Sequence, residues 1–426
     1  MQLRRFASLL PAAASTAAIT LTLLPAPAQA ADTPPSPLTK TGYTLDFSEE
    51  FDGSTLDSSR WLDYYIPHWT SNREAAKARY TIANGVLTER LDQDTPAWNP
   101  TYDSTVKISS IQTYNADWWH RFNYSMPNDH HEPTFNGYTT KYGYFEMRAK
   151  NANVGGGGHQ AWWMVGIDDT TSASQNPEID IVESFFSKPQ NWRIAGYGWG
   201  DPNFLGSWYS SDQPVPSGSP TSEYHLYGME WTPTELKFYY DNQLYRTISD
   251  APNMPMGMIL GLYTDAGSGQ HNDVWPKTWN VDYVRVWKKN GGYPEATYQR
   301  IKNRQTGKTI HIEGLNGSAQ AGTIASTAWS SQWRRETTSD GYVRYRNRWT
   351  GDYLHTENLT GNVQYGAAPA GWWTSQWTEE PVSGHTRLKN RQTGAVMHTE
   401  TDNGLVQYGT VPSTWWSSQW SFEPAA

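Results

Sequence analysis

No cysteine occurs anywhere in the 426 residues. That absence excludes disulfides and a lipid anchor on cysteine. Charge is sparse as well: Asp, Glu, Lys and Arg make up 18%, with acids in excess and a formal net charge of -9. An acidic chain is a poor partner for polyanions, so neither nucleic acid nor an anionic membrane is expected as a partner. Beyond residue 30 no apolar run is long enough to span a bilayer. Long amphipathic helical patterns are missing too, and only "SNREAAKARY" (71–80) could hold one short helix.

Residues 1–30 carry two basic residues, Arg4 and Arg5, then an alanine-rich apolar run to Leu24 and small residues at Ala28 and Ala30. This pattern predicts a secretory signal peptide cleaved after Ala30, hence a secreted protein. Its removal moves the net charge from -9 to -11. Aromatic residues are abundant at 14%, with 23 Trp and 26 Tyr. Such rings bury large areas, and their flat faces also suit the apolar faces of sugar rings. An exported, acidic, aromatic-rich chain points to carbohydrate as a partner. It is expected to act on a polysaccharide as a monomer.

Residues 31–42 begin with the proline-rich "ADTPPSPLTK" and read as a tether. From 43 to 288 the chain runs in short alternating stretches such as "GYFEMRAK", "ELKFYYD" and "WNVDYVRVW", broken by turn residues. Period-two alternation with frequent breaks predicts an all-β sandwich or barrel. Residues 289–297, "KNGGYPEAT", have linker composition.

From 298 to 426 the sequence repeats three times, with Asn303, Asn347 and Asn390 in register at periods of 44 and 43. Glu313, Glu357 and Glu400 keep that register, as do Gln320, Gln364 and Gln407, and Trp333, Trp377 and Trp420. Three β-rich units are too few for a propeller and fit a β-trefoil, in which any surface site recurs around a pseudo-threefold axis. The recurring Trp333, Trp377 and Trp420 are expected in the core. A recurring acid is harder to explain as core, so Glu313, Glu357 and Glu400 are candidate sugar-binding residues, with Trp372, Trp415, Tyr365 and Tyr408. The first repeat has Ala328 and Ala321 at the positions of Trp372 and Tyr365, so two competent sites and one weakened site are expected.

"NPEIDIVES" (176–184) carries three acids, Glu178, Asp180 and Glu183, in an otherwise apolar strand. In a regular strand Glu183 would face away from the first two. One extra residue in a β-bulge between Asp180 and Glu183 would bring all three to one face. Paired carboxylates cleave glycosidic bonds, one attacking the anomeric carbon and the other protonating the leaving oxygen. Crowding and burial raise one pKa so that this group can act as the acid. The spacing alone leaves open which glutamate does which.

"EIDIVE" resembles the signature of glycoside hydrolase family 16 in its bulged form, the form of laminarinases, agarases and carrageenases. "FSEEFDGSTLDSSRW", "YGYFEMRAK", "AWWMVG", "YHLYGMEWTPTELKFYYDNQL" and "VDYVRVW" follow the family's order through 43–288. The resemblance implies a β-jelly roll and a retaining mechanism, with Glu178 as nucleophile, Glu183 as acid/base and Asp180 assisting. The repeats look like a trefoil carbohydrate-binding module with one Trp and one Glu per site.

His159, Trp163, Trp118, Trp119 and Trp231 are candidate substrate contacts, with core packing as the competing reading for the tryptophans. Adjacent Trp118 and Trp119 cannot both face a cleft from a strand. His159 and Gln160 depart from the usual laminarinase "WPAFWM". The stretches at 110–143 and 259–269 depart from the family pattern too. The expected substrate is a β-1,3-linked or mixed glucan. The alternatives are a galactan substrate, transglycosylation, or an inactive lectin-like protein. No cofactor is required, although the resemblance allows a structural calcium. "DHHEP" (129–133) reads as a surface loop and not as a metal site, and "GGGG" (155–158) as a turn before a strand.

Overall fold

A computed structural model describes residues 31–426 except 122–124, 128–129, 153–154, 168–175, 200, 202–203, 205, 210–211, 249, 265–273, 295–296, 370, 401–403 and 426. For 206–209 it describes the backbone alone. The predicted signal peptide and its cleavage point after Ala30 therefore lie outside the described residues.

Two antiparallel sheets face each other across the region 43–289. The first has the strand order Gln243–Ile248, Leu236–Tyr240, His225–Trp231, Gly143–Lys150, Lys277–Lys289, Val86–Leu91, Tyr80–Ala83, with Tyr43–Glu49 also paired to Lys277–Lys289. The second has the order Gly206–Tyr209, Asn191–Tyr197, Glu178–Phe185, His159–Gly166, Met256–Tyr263, Ile108–Gln112. This is the two-sheet sandwich that the alternating pattern predicts. Inward residues such as Phe145, Met147, Trp162, Ile179, Ile181, Trp231 and Val284 fill the layer between the sheets. Each large side chain buried there contributes about 1.5–3 kcal/mol of transfer free energy.

A second apolar cluster lies against the other face of the second sheet. Trp163, Val165 and Ile259 from the strands meet Tyr65, Trp69, Trp98 and Trp119 from the connecting segments. These segments build a wall above the sheet, and the wall defines one side of a cleft. The stretch "SNREAAKARY" contributes one 3-10 turn at Arg73–Ala76.

The proline-rich segment corrects the expectation of a tether, because it is docked on the first sheet. Ser36 N–H donates to the Tyr283 hydroxyl at 3.0 Å, and the Trp287 indole donates to the Leu38 carbonyl at 2.7 Å. Lys40 Nζ sits 3.6 Å from the centre of the Tyr144 ring. A proline-rich strap has little backbone freedom to lose on docking.

The three repeats form a closed ring of six strands: Gln299–Asn303, Trp333–Thr337, Val343–Asn347, Trp377–Val382, His385–Asn390 and Trp420–Pro424. Each repeat adds a short hairpin, Thr309–His311 with Gln320–Gly322 and its two equivalents. A six-strand ring with three hairpins is the trefoil arrangement. Trp333, Trp377 and Trp420 are fully buried at its centre. The recurring asparagines bind the repeats together: the Asn303, Asn347 and Asn390 amides donate to the carbonyls of Ser417, Ser330 and Thr374 at 2.8, 2.9 and 2.8 Å.

Candidate active site

The strand Glu178–Phe185 lies between His159–Gly166 and Asn191–Tyr197. Asp180 pairs with Ala195 and Glu183 with Arg193, so three steps on one strand match two on its neighbour. On the other side Asp180 pairs with Trp163 and Val182 with Trp162, two steps against one. This is the β-bulge predicted from the acid spacing. Ile179, Ile181 and Val182 are fully buried in the layer between the sheets, while Glu178, Asp180 and Glu183 line a cleft on the opposite face.

The cleft has a volume of about 530 Å³. His159, Ala161 and Trp163 belong to one neighbouring strand, Tyr263 to the next and Tyr197 to the other side. Gly158, just before His159, is held at φ +99° with the Tyr263 carbonyl oxygen 2.1 Å from where a Cβ would stand. Only glycine fits that approach, so the last glycine of "GGGG" has a packing reason.

Burial pushes the pKa of all three acids up. For Glu178 it reaches about 7, with the neighbouring Glu183 charge adding to burial. Asp180 goes well above the usual carboxylate range, from burial first and then from both glutamates. Asp180 is therefore the group that keeps its proton, and that proton is donated to Glu178. Glu183 is raised by burial and opposed by Arg193, whose Nε lies 3.1 Å from Glu183 Oε2. The Trp199 indole N–H donates to Glu178 Oε2 at 2.7 Å. Three carboxylates in one pocket thus occupy three environments.

The other expected contacts divide. Trp163 lines the cleft floor and donates its indole N–H to the Tyr263 hydroxyl at 2.9 Å. His159 lines the cleft and stacks on Tyr263 with ring centres 4.9 Å apart. Trp231 does not reach the cleft. It is fully buried between the sheets, where Phe145 packs against it and its N–H donates to the Pro252 carbonyl. Trp119 is also fully buried, with its N–H on the Gly166 carbonyl at 2.8 Å. Trp118 is half-buried and edge-on to Trp69, away from the acids. Packing decided all three: Trp231 fills the layer between the sheets, and around 118–120 the chain leaves strand geometry with positive φ at Trp118 and His120.

Sequence reasoning missed Arg193, Tyr197, Trp199, His120 and Tyr263. Arg193 and Tyr197 sit at period two from Ala195, the partner of Asp180, so alternation along that strand could have found them, whereas Trp199 lies beyond the strand end at Tyr197. His120 lies edge-on to Trp163 at 5.0 Å, and its pKa is lowered by burial to about 3, so it is neutral in the cleft wall.

In "DHHEP", His131 pairs with Asp117 at 2.5 Å and Glu132 with Arg73 at 2.8 Å, while Asp129 lies outside the described residues. Among the described residues no group of three or more His, Asp or Glu side chains stands together as a metal cage.

In the trefoil, Glu313, Glu357 and Glu400 are all exposed. Each accepts from a hydroxyl in the turn that carries the tryptophans, from Ser330, Thr374 and Ser417 at 2.5, 2.6 and 3.4 Å. Trp372 and Trp415 are exposed beside them. The Tyr365 and Tyr408 hydroxyls accept from Gly317 and Gly361 N–H of the preceding repeat, both at 3.2 Å, so these side chains also hold repeat junctions. In the first repeat, Ala321 fills the corresponding place without a hydroxyl.

A bulged acid triplet in an open cleft of a two-sheet sandwich defines a glycoside hydrolase. The family model for glycosyl hydrolases family 16 matches residues 101–285. A solved GlcNAcα1-4Gal releasing endo-β-galactosidase from Clostridium perfringens is 50% identical, covers 93% of this chain and 100% of its own, and superposes with a TM-score of 0.62. A glucan endo-1,3-beta-glucosidase A1 from Niallia circulans is 26% identical over 58% of this chain and 38% of its own length. A keratan-sulfate endo-1,4-beta-galactosidase from Sphingobacterium multivorum is 25% identical over 58% of this chain and 56% of its own length. The chain thus spans little more than a third of the first of these curated relatives and just over half of the second. The protein belongs to glycosyl hydrolases family 16.

Proposed function

We propose that this protein is an exported, retaining endo-β-galactosidase whose C-terminal trefoil holds glycan. The observation that carries the galactan reading is the 50% identity to the GlcNAcα1-4Gal releasing endo-β-galactosidase, which extends along nearly the whole chain. It favours the galactan alternative over the β-1,3-glucan expected from the sequence. The glucan remains the second reading, favoured by the 26% identity to a glucan endo-1,3-beta-glucosidase. The leader pattern in residues 1–30 supports export.

In the proposed mechanism Glu178 attacks the anomeric carbon of galactose. As that bond forms, the bond to the leaving oxygen breaks and Glu183 delivers its proton there. Water then loses a proton to Glu183 and displaces Glu178, so configuration is retained. Asp180, kept neutral by burial, donates to Glu178 and frees it to ionise. Arg193 beside Glu183 steadies the carboxylate that remains once its proton has gone.

The test is a panel of glycans, comprising GlcNAcα1-4Galβ-capped oligosaccharides, keratan sulfate, agar and laminarin, with products read by mass. Disaccharide release from the capped glycans, lost in Glu178→Gln and in Glu183→Gln, supports the proposal. Shortening of laminarin alone favours the second reading.

A further inference from the structure

Trp199 is 46% exposed, an unusual position for a large ring that also makes a charge-assisted hydrogen bond. Its ring lies nearly parallel to Tyr197, with centres 5.3 Å apart and planes 27° from each other. Its backbone is held at φ +46°, a conformation tryptophan rarely adopts. Tyr197 and Trp199 both line the cleft beside Glu178. One edge of the indole therefore faces the carboxylate while one face is open to solvent along the cleft.

We propose that Trp199 is a positioning residue for Glu178 and, with Tyr197 behind it, the aromatic ledge on which the glycan chain rests at that end of the cleft. The proposal rests on Glu178 being the nucleophile. The Trp199 N–H fixes Oε2, and the Asp180 proton is the second hydrogen bond to the same carboxylate. The Trp199 donor at 2.7 Å, with the Asp180 proton as a second partner, restrains the carboxylate and so the attacking lone pair. The same donor favours the ionised form of Glu178 and works against the burial that raises its pKa. A β-linked sugar on the ledge presents its C–H face to the ring, and stacking and nucleophile alignment are then set by one side chain.

Two variants separate the two effects. Trp199→Phe keeps a ring but loses the N–H. It is expected to lower kcat by about 10- to 100-fold, the range of a charge-assisted hydrogen bond, with KM little changed. The acidic limb of its kcat/KM profile should move to higher pH. Trp199→His keeps a donor on a smaller ring and should regain most of kcat while KM rises several-fold, roughly what a lost stacking contact costs. Because Trp199 lies outside the core clusters, circular dichroism should be unchanged in both. A Trp199→Phe enzyme with wild-type kcat and an unmoved acidic limb overturns the proposal.

Glu178→Ala with azide and an aryl β-glycoside of GlcNAcα1-4Gal should give an α-glycosyl azide. A β-glycosyl azide would make Glu178 the acid/base and remove both the reading and the proposal. An α-azide combined with an unaltered Trp199→Phe profile removes only the proposal.

Discussion

Glu183 stands opposite Arg193 across the strand ladder, and its Oε2 lies 3.1 Å from the guanidinium Nε. The guanidinium lowers the Glu183 pKa against the burial that raises it. Arg193→Met removes the lowering influence, so Glu183 should hold its proton to higher pH. The alkaline limb of kcat/KM should move up, which a pH–rate series on a soluble glycan measures. A fall in kcat should accompany it, because the carboxylate left after proton delivery loses its partner.

The bulge makes a prediction about length. Deleting Val182 leaves Glu178, Asp180 and the displaced Glu183 at regular period-two spacing, so all three acids still face the cleft. Deleting Ile181 and Val182 together places Glu183 directly after Asp180, at an odd spacing that turns it toward the apolar layer instead. The single deletion should keep measurable hydrolysis despite losing a buried valine, and the double deletion should abolish it. The double deletion should also destabilise the fold by several kcal/mol, since a carboxylate would enter the core. Rates and denaturant midpoints of the two variants settle the comparison.

Glu178 links stability to pH. Its pKa is raised to about 7 in the folded protein, so the folded state binds the proton more tightly than the unfolded chain. That contribution is fully present below the ordinary carboxylate range and is lost as pH rises through about 7. Glu178→Gln has no charge to desolvate. It should be more stable than the parent at pH 8 by about 1–3 kcal/mol, with the gap closing toward pH 5. Thermal melts of both proteins at the two pH values check the sign.

The glycan-holding role proposed for the trefoil can be separated from its stability. Trp377 is fully buried, and Trp377→Ala should cost about 3–5 kcal/mol. Trp372 is 40% exposed beside Glu357, so Trp372→Ala should leave the melting temperature unchanged and weaken retention on immobilised glycan. Adding Trp415→Ala should deepen that loss more than either change alone, as two sites on one body act together. Affinity electrophoresis with the glycan in the gel measures both.

Much of this site was legible because a strand has only two faces. Three acids in an apolar run forced the bulge, and the pairing of Asp180 with Ala195 and Glu183 with Arg193 realises it. The repeat period carried the trefoil for a similar reason, since three equivalent tryptophans must meet at one axis. The cleft wall was not legible. Trp118, Trp119 and His120 sit where the chain leaves strand geometry, and alternation says nothing about side-chain direction there. Trp231 misled because a buried tryptophan and a sugar platform have the same one-letter code. Trp199 was missed because it lies past the end of Asn191–Tyr197 with positive φ, where alternation no longer sets side-chain direction. The docking of residues 32–40 was hidden by composition, because proline-rich segments look alike whether free or strapped to a sheet.

The central claim is a retaining cleavage at galactose by Glu178 and Glu183, and proton NMR of the newly formed reducing end tests it most directly. With a GlcNAcα1-4Galβ-capped glycan as substrate, the account predicts that the released disaccharide appears first as the β-anomer and only later mutarotates. First appearance of the α-anomer, or no release from this glycan while laminarin is shortened, would contradict it.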